Sequence, residues 1–327
     1  MRIPDEALKC VVFIGRYSSI GEMSFYGTAF LVGHVLSNWK SPLVCVVTAR
    51  HIIQQIQSGP NFDGKVLLRV NFKDGTSETL ETDVNEWKYH PNEDEMVDVA
   101  VLPLIELPED ADVVYIHPNI FLNEEKRSIL PLTIGEEVFF TGLFANHKGK
   151  VRNIPIARFG NLASLQEERV LTKMGLIDAY LVDAHSIGGL SGAPVFVNYG
   201  IVRVEGGRLL QSQEACGKIF LLGLMHGHFM ADITIPGLSD RDRKKLELVN
   251  FGISIVIPGE KILEVMEQPI IKEKVAAIEA EYVESQLPSM DNIQDEDNEV
   301  LTEVQFTNVL KLASRKISEP DQETKET

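Results

Sequence analysis

Three cysteines, Cys10, Cys45 and Cys216, stand far apart in 327 residues. They are too few to staple a secreted β-domain, and no pair has metal-ligand spacing. Reduced, mostly buried thiols are the expectation. Basic charge is also short: 31 Lys and Arg face 48 Asp and Glu, a net of −17. That sign argues against nucleic-acid binding, which calls for a basic face. Long apolar runs are missing too, and none approaches the roughly 20 residues of a membrane helix. The opening "MRIPDEALKCVVFIGR" holds two acids and an apolar run of only six residues. It is too short and too acidic for a secretory signal and reads as a first strand. A cytoplasmic protein that engages no membrane is expected. Internal repeats are absent. His226 and His228, in "HGH", have no Cys or carboxylate cluster beside them in sequence, so no metal and no other cofactor is expected.

What is present is a succession of short apolar runs between Gly, Pro, Asn and Asp clusters. "CVVFIGR", "GTAFLVG", "LVCVVTA", "KVLLRVNF", "VAVLPL", "EEVFFTGLF", "APVFV", "IFLLGLM" and "FGISIVI" follow one another between residues 8 and 258. With 44% apolar residues, this predicts a globular all-β chain, and periodicity alone leaves sandwich and barrel both open.

Within that pattern, "IGGLSGAPVF" (187–196) surrounds one hydroxyl, that of Ser191, with Gly188, Gly189 and Gly192. Glycines let a backbone turn sharply or approach another molecule closely. The stretch is either a tight turn between strands or a nucleophile loop. In the second case the N–H groups of Gly189 and Ser191 would form an oxyanion hole. A serine hydroxyl needs a base to become a nucleophile. "LVCVVTARHII" delivers His51 at the end of an apolar strand, and "DEMVDVAVLPL" places Asp98 at the opening of another.

In the order His, Asp, Ser, these segments resemble the signatures of chymotrypsin/trypsin-like serine peptidases. "VVTARH" is similar to T-A-x-H, "DVAVLPL" to D-[IV]-A-[LV]-L, and "GLSGAP" to G-x-S-G-[GA]-P. "YGTAFLV" resembles the strand before the histidine in the bacterial branch, and the serine loop resembles those of HtrA-type proteases and glutamyl endopeptidases. Nothing resembles a PDZ domain. The resemblance implies two Greek-key six-stranded β-barrels with a triad between them. His51 would be general base, Asp98 its orienting carboxylate and Ser191 the nucleophile, with Gly189 and Ser191 N–H groups on the oxyanion. Expected boundaries are a first barrel over 8–115, a crossover over 116–134 and a second barrel over 135–258. A C-terminal helical segment over 259–287, docked on the second barrel, and an acidic tail over 288–327 would follow. Protein or peptide would be the substrate. His185, Ser186 and His226 are candidates for the specificity pocket. Leu190, directly before the serine, cannot accept the charge of a newly cut N-terminal amine, so activation by cleavage is not expected.

After Pro258 the spacing turns helical. Ile262, Val265 and Met266, then Ile271, Val275, Ile278 and Tyr282, recur at helical intervals, with Pro269 between the sets. From Glu260 onward 17 acids face 7 bases, a net of −10, which leaves −7 for residues 1–259. Residues 285–300 read as an acidic linker, and Phe306, Val309, Leu310 and Ala313 form a last apolar cluster. Such a tail is expected either to remain solvated or to dock a partner.

Overall fold

The apolar runs rich in Val, Ile, Leu and Phe become strands in two curved sheets. The computed structural model describes residues 2–34, 43–92, 96–172, 174–185, 188–199, 202–205, 208–211, 218–230 and 250–286. Residues 1–279 form one compact unit and residues 280–327 a second. Of the second unit, only the last turns of a helix are described.

After a one-turn helix α1 (Glu6–Lys9) come β1 (Val11–Tyr17), β2 (Met23–His34) and β3 (Leu43–Thr48). Helix α2 (Arg50–Gln57) follows, then β4 (Lys65–Asn71), β5 (Ser77–Asp83), β6 (Lys88–Tyr89) and β7 (Ala100–Ile105). They pair as one seven-stranded sheet, in the order β5-β4-β1-β2-β3-β7-β6. A closed barrel was expected here. The described ladders leave β5 and β6 as unpaired ends, and the reason lies in those two strands. β6 is only two residues long, and β5 (SETLETD) is polar on both faces, with Thr82 its one buried residue. β6 lacks the ladder length and β5 the apolar face that closure calls for.

The segment leading into the second sheet touches both. Ile116 bridges Val32 of β2, and Phe121, fully buried, bridges Leu221. Helix α3 (Glu124–Ile129) is capped by the Asn123 side chain, which accepts from the Lys126 N–H. Then come β8 (Glu137–Gly142), β9 (Ile156–Ser164), β10 (Val170–Thr172), β11 (Gly175–Ile177) and β12 (Tyr180–Asp183). β13 (Pro194–Asn198), β14 (Val202–Glu205), β15 (Arg208–Gln211), β16 (Ile219–Met230) and β17 (Asn250–Pro258) complete the set. Six of these close into a barrel in the order β12-β17-β16-β13-β8-β9, as expected for this half, and β12 pairs back onto β9. The pairs β10–β11 and β14–β15 are hairpins outside it.

β8 and β13 are nearly unbroken apolar runs because both their faces are buried. Val138, Phe140, Val195 and Val197 point to one core, inside the barrel. Their neighbours Phe139 and Phe196, stacked at 5.0 Å between ring centroids, join Leu221 and Leu224 in a second core. That second core is continuous with Phe30, Val46, Val47 and Val101 of the seven-stranded sheet. One layer of side chains therefore bonds sheet to barrel, and the cleft above it is where the sequence motifs meet.

Pro269 separates two helices, α4 (Gly259–Met266) and α5 (Pro269–Gln286), occupying the first position of the second, where its missing N–H costs nothing. Ile262, Val265, Ile271 and Val275 are buried. The expected docking on the barrel is only part of their placement. Glu264 takes a hydrogen bond from His90 Nε2 at 2.6 Å, and the Gln268 amide donates to the Tyr89 carbonyl at 2.7 Å. The helices thus clasp the β6 end of the first sheet. The expected tail, 288–327, lies outside the described residues.

Phe121 sits where the connecting segment meets both halves. Phe121→Ala should cost about 3–5 kcal/mol of stability, read as a lower urea midpoint with an unchanged slope. A loss under about 1 kcal/mol would show that the segment is not part of the shared core.

Candidate active site

β3 ends at Thr48, and α2 begins two residues later, so His51 lies in the first turn of a short helix at the sheet's edge. Asp98 precedes β7 in an extended segment held by the buried Val97 and Val99. The side chain of Asp98 is 0% exposed, against 19% for His51. A buried carboxylate is costly unless donors surround it. Asp98 Oδ1 accepts the backbone N–H of His51 at 2.8 Å, and Oδ2 accepts its ring Nδ1 at 2.7 Å. A third donor arrives from β16: His226 Nδ1 lies 2.5 Å from the same Oδ2. Burial alone would raise the Asp98 carboxyl. The hydrogen bonds from His226 and His51, and the charge these rings can carry, outweigh it and bring the group down to about 2.

The serine loop is pinned from behind by two threonines. Thr28 N–H donates to the Ser191 carbonyl at 3.0 Å, and its hydroxyl donates to the Gly189 carbonyl at 2.8 Å. The same hydroxyl accepts the Leu143 N–H at 2.8 Å, while Thr48 Oγ1 donates to the Thr28 carbonyl at 2.7 Å. Gly189 and Gly192 adopt φ of 100° and 81°, a region that L side chains avoid. A Cβ on Gly192 would also stand 2.1 Å from the Thr28 carbonyl oxygen. Leu190 is fully buried inside the barrel and anchors the loop by apolar contact. The Gly192 N–H donates to the Met225 carbonyl at 2.8 Å, tying the loop to β16. Among the described residues, the N–H groups of Gly189 and Ser191 donate no hydrogen bond, as an oxyanion hole requires. Ser191 Oγ donates to the carbonyl of His226 at 3.2 Å, and among the described residues it makes no hydrogen bond to His51.

His51 and Asp98 are therefore in contact, and Ser191 is linked to them through His226. The placement of His226 differs from the pocket role read in the sequence, because its ring is directed at Asp98. His185 is exposed with its ring against the Gly252 α-carbon, and Ser186 lies outside the described residues. Sequence reasoning missed Thr28 as a clamp, although "YGTAFLV" contains it, and missed His226 as a partner of Asp98. Local sequence carried no signal for that partnership, since β16 reaches the site only through its ladder to β13.

Donor atoms of His51, Asp98 and His226 lie within 4.8 Å of one another, and two imidazoles with a carboxylate are a set zinc accepts. The clustering, which the sequence did not lead one to expect, has the wrong spacing for an ion. Ligands around zinc at about 2.0–2.1 Å stand about 3.3 Å apart, whereas here both nitrogens are at hydrogen-bonding distance from one oxygen. Protons, not a shared cation, fit these contacts.

No family model matches the chain, and no curated protein matches it in sequence. Similar solved structures include Deg5, at 16% identity and a TM-score of 0.44, covering 79% of this chain and 88% of that one. Another is the apo MamO protease domain from Magnetospirillum magneticum, at 13% identity and a TM-score of 0.45, covering 80% and 98%. These likenesses are too slight to carry an inference, so the functional reading stands on the site itself.

Two outcomes test this geometry. Thr28→Val keeps the shape but strands the Gly189 carbonyl and the Leu143 N–H, at about 1–3 kcal/mol for each buried unpaired group; Thr28→Ser should recover most of the loss in urea unfolding. For Asp98, the folded value of about 2 lies below the ordinary 3.8. Ionised Asp98 therefore stabilises the fold above about pH 4, a contribution lost as the pH falls through about 2. Unfolding free energies of wild type and Asp98→Asn should converge by about 2–3 kcal/mol between about pH 5 and pH 2. A gap independent of pH would contradict the depressed carboxyl.

Proposed function

We propose that the protein is a serine endopeptidase that hydrolyses protein or peptide substrates in the cytoplasm, without a cofactor. The observation that supports this reading is His51 bonded to Asp98, with Ser191 bonded to the carbonyl of His226, whose ring reaches the same carboxylate, beside two backbone N–H groups with no partner among the described residues. Ser191 Oγ attacks the peptide carbonyl carbon while His51 Nε2 takes its proton, and Asp98 holds the other ring nitrogen and offsets the imidazolium charge. The oxyanion is received by the Gly189 and Ser191 N–H groups. Collapse expels the amine with the proton from His51. Water, deprotonated by the same ring, then releases the acyl group from Ser191. To begin, the serine hydroxyl has to turn from the His226 carbonyl to His51. Hydrogen bonds at catalytic sites are commonly unformed before substrate binds. The cytoplasmic assignment rests on the scarcity of cysteine, three in the chain, and on the burial of Cys10 and Cys45.

The Ser191–His226 contact favours a second reading, in which the same fold binds a partner and catalysis is conditional on that event. The acidic C-terminal region, −10 over residues 260–327, is the part suited to dock such a partner.

A fluorophosphonate probe separates the two, since it labels only an activated serine. Wild type should label and hydrolyse peptides, and Ser191→Ala should lose turnover by about a million-fold. His51→Ala should lose nearly as much, and the double variant little more, because the residues act as a unit. Equal labelling of wild type and Ser191→Ala would remove the peptidase reading, and labelling only with an added partner would favour the conditional one.

A further inference from the structure

Asp98 is shared by two imidazoles, and one of them has no place in the reaction just described. His226 reaches the site twice. Its carbonyl accepts the Ser191 hydroxyl at 3.2 Å, and its Nδ1 stands 2.5 Å from Asp98 Oδ2. One residue of β16 thus holds both the nucleophile and the carboxylate. Its backbone is fixed in turn, because the preceding carbonyl, that of Met225, accepts the Gly192 N–H, and Met225 N–H donates to Ala193. The His226 ring meets the His51 ring edge-on, 5.4 Å between centroids and 78° between planes. Its side chain is 13% exposed.

We propose that His226 is a positioning residue that competes with His51 for the charge of Asp98, so that a proton on His226 withdraws the carboxylate from the catalytic base. The proposal rests on the peptidase reading for its kinetic consequences, but not for its spectroscopic one. Both rings present Nδ1 to the same oxygen, so each neutral ring donates one N–H, and Oδ2 receives two hydrogen bonds where one would orient His51. The other oxygen, Oδ1, accepts the His51 backbone N–H, so both rings converge on Oδ2. When one ring gains a second proton, Coulomb attraction draws Asp98 towards it, and repulsion across 5.4 Å opposes a proton on the other. The two rings are thereby coupled through one carboxylate oxygen.

Other titratable side chains on the surrounding elements include Arg50 beside His51, Cys45 on β3, Tyr180 and Asp183 on β12, His185 before the serine loop and His228 on β16. Arg50 is turned onto the Tyr89 ring at 5.1 Å. Asp183 and His185 are exposed. Among the described residues, no fourth histidine, cysteine or acid joins the cluster, and the charged partners that act on Asp98 are His51 and His226. A surface position would not need a histidine here. A buried carboxylate oxygen with a lone pair to spare does need a donor, and an imidazole is a donor whose charge follows pH.

The experiment uses the full chain and two variants. Asn places an amide N–H where His226 Nδ1 stands but cannot be protonated; Leu removes the donor altogether. Proton NMR of histidine-labelled wild type should show two strongly deshielded ring N–H signals. His226→Asn should abolish one and shift the other, and His51→Ala should abolish the complementary one. Fluorophosphonate labelling followed against pH gives the kinetic arm. His226→Asn should label faster at neutral pH than the Leu variant, since Asn retains a donor to Asp98. Its acid limb should become a single titration and move up by about half a pH unit or more, the effect of losing a competing charge at this separation. His226→Leu should label at least about tenfold more slowly at every pH, as expected when a buried charge loses one of its donors. A single deshielded signal unaffected by either His226 variant would overturn the proposal. So would an acid limb identical in wild type and His226→Asn. If no form labels, the peptidase reading fails, and the NMR arm alone still decides whether Asp98 is shared.

Discussion

A carboxylate with no solvent exposure must be surrounded by donors or be neutral, and the fold resolves that demand for Asp98 with three N–H groups from two elements remote in sequence. α2 supplies a backbone amide and a ring, and β16 supplies the second ring. Each contact constrains a different part of the chain. The amide fixes where the helix begins, the His51 ring fixes its rotation, and His226 fixes how far β16 enters the cleft. Moving any of them would leave an uncompensated charge in the core, at a cost comparable with a large share of a domain's net stability. The grouping of His51 and His226 at the cleft thus follows from satisfying one buried charge.

The second constraint is the back wall of the serine loop. Thr28 uses its N–H, carbonyl and hydroxyl on four partners, and Thr48 completes the chain. Because Thr28 belongs to the first sheet and Ser191 to the loop ahead of β13, this wall is also a joint between the two halves. The same layer holds Phe139 against Phe196 beneath it. Polar contacts set the loop's position and the apolar layer resists its displacement. Neither would suffice alone: the hydroxyl network is directional but individually weak, while apolar packing lacks direction.

What could be read from the sequence followed from locality. Runs such as "LVCVVTA" and "EEVFFTG" give strands because β-branched and aromatic residues suit a pleated, buried surface. The Gly189–Ser191–Gly192 arrangement gives a turn that few other residues could make, and Pro269 gives the break between two helices. Non-local facts were out of reach. Nothing in "SETLETD" or in the two residues of β6 announces that the first sheet's ends stay apart, since closure depends on ladders between distant strands. "HGH" reads as two isolated histidines until β16 pairs with β13 and brings His226 beside a carboxylate 128 residues earlier in the chain. The C-terminal helices were visible by their spacing, but their grip on His90 and Tyr89 was not.

That grip extends the argument from the site to the whole unit. Glu264 holds His90, a histidine whose side chain is 4% exposed, and is itself held by Lys261 at 3.1 Å. Gln268 takes the Tyr89 carbonyl, and Arg50, the neighbour of His51, lies over the Tyr89 ring. β6 is too short to be stable by its own ladder, yet it borders the strand that follows Asp98. The helices supply from outside the order that a two-residue strand cannot supply for itself. Asp98 is therefore positioned from both sides, by α2 and β16 across the cleft and by α4 through the weak edge of the sheet. A chain that leaves its first sheet open at that edge has a physical reason to continue past the barrel with two more helices.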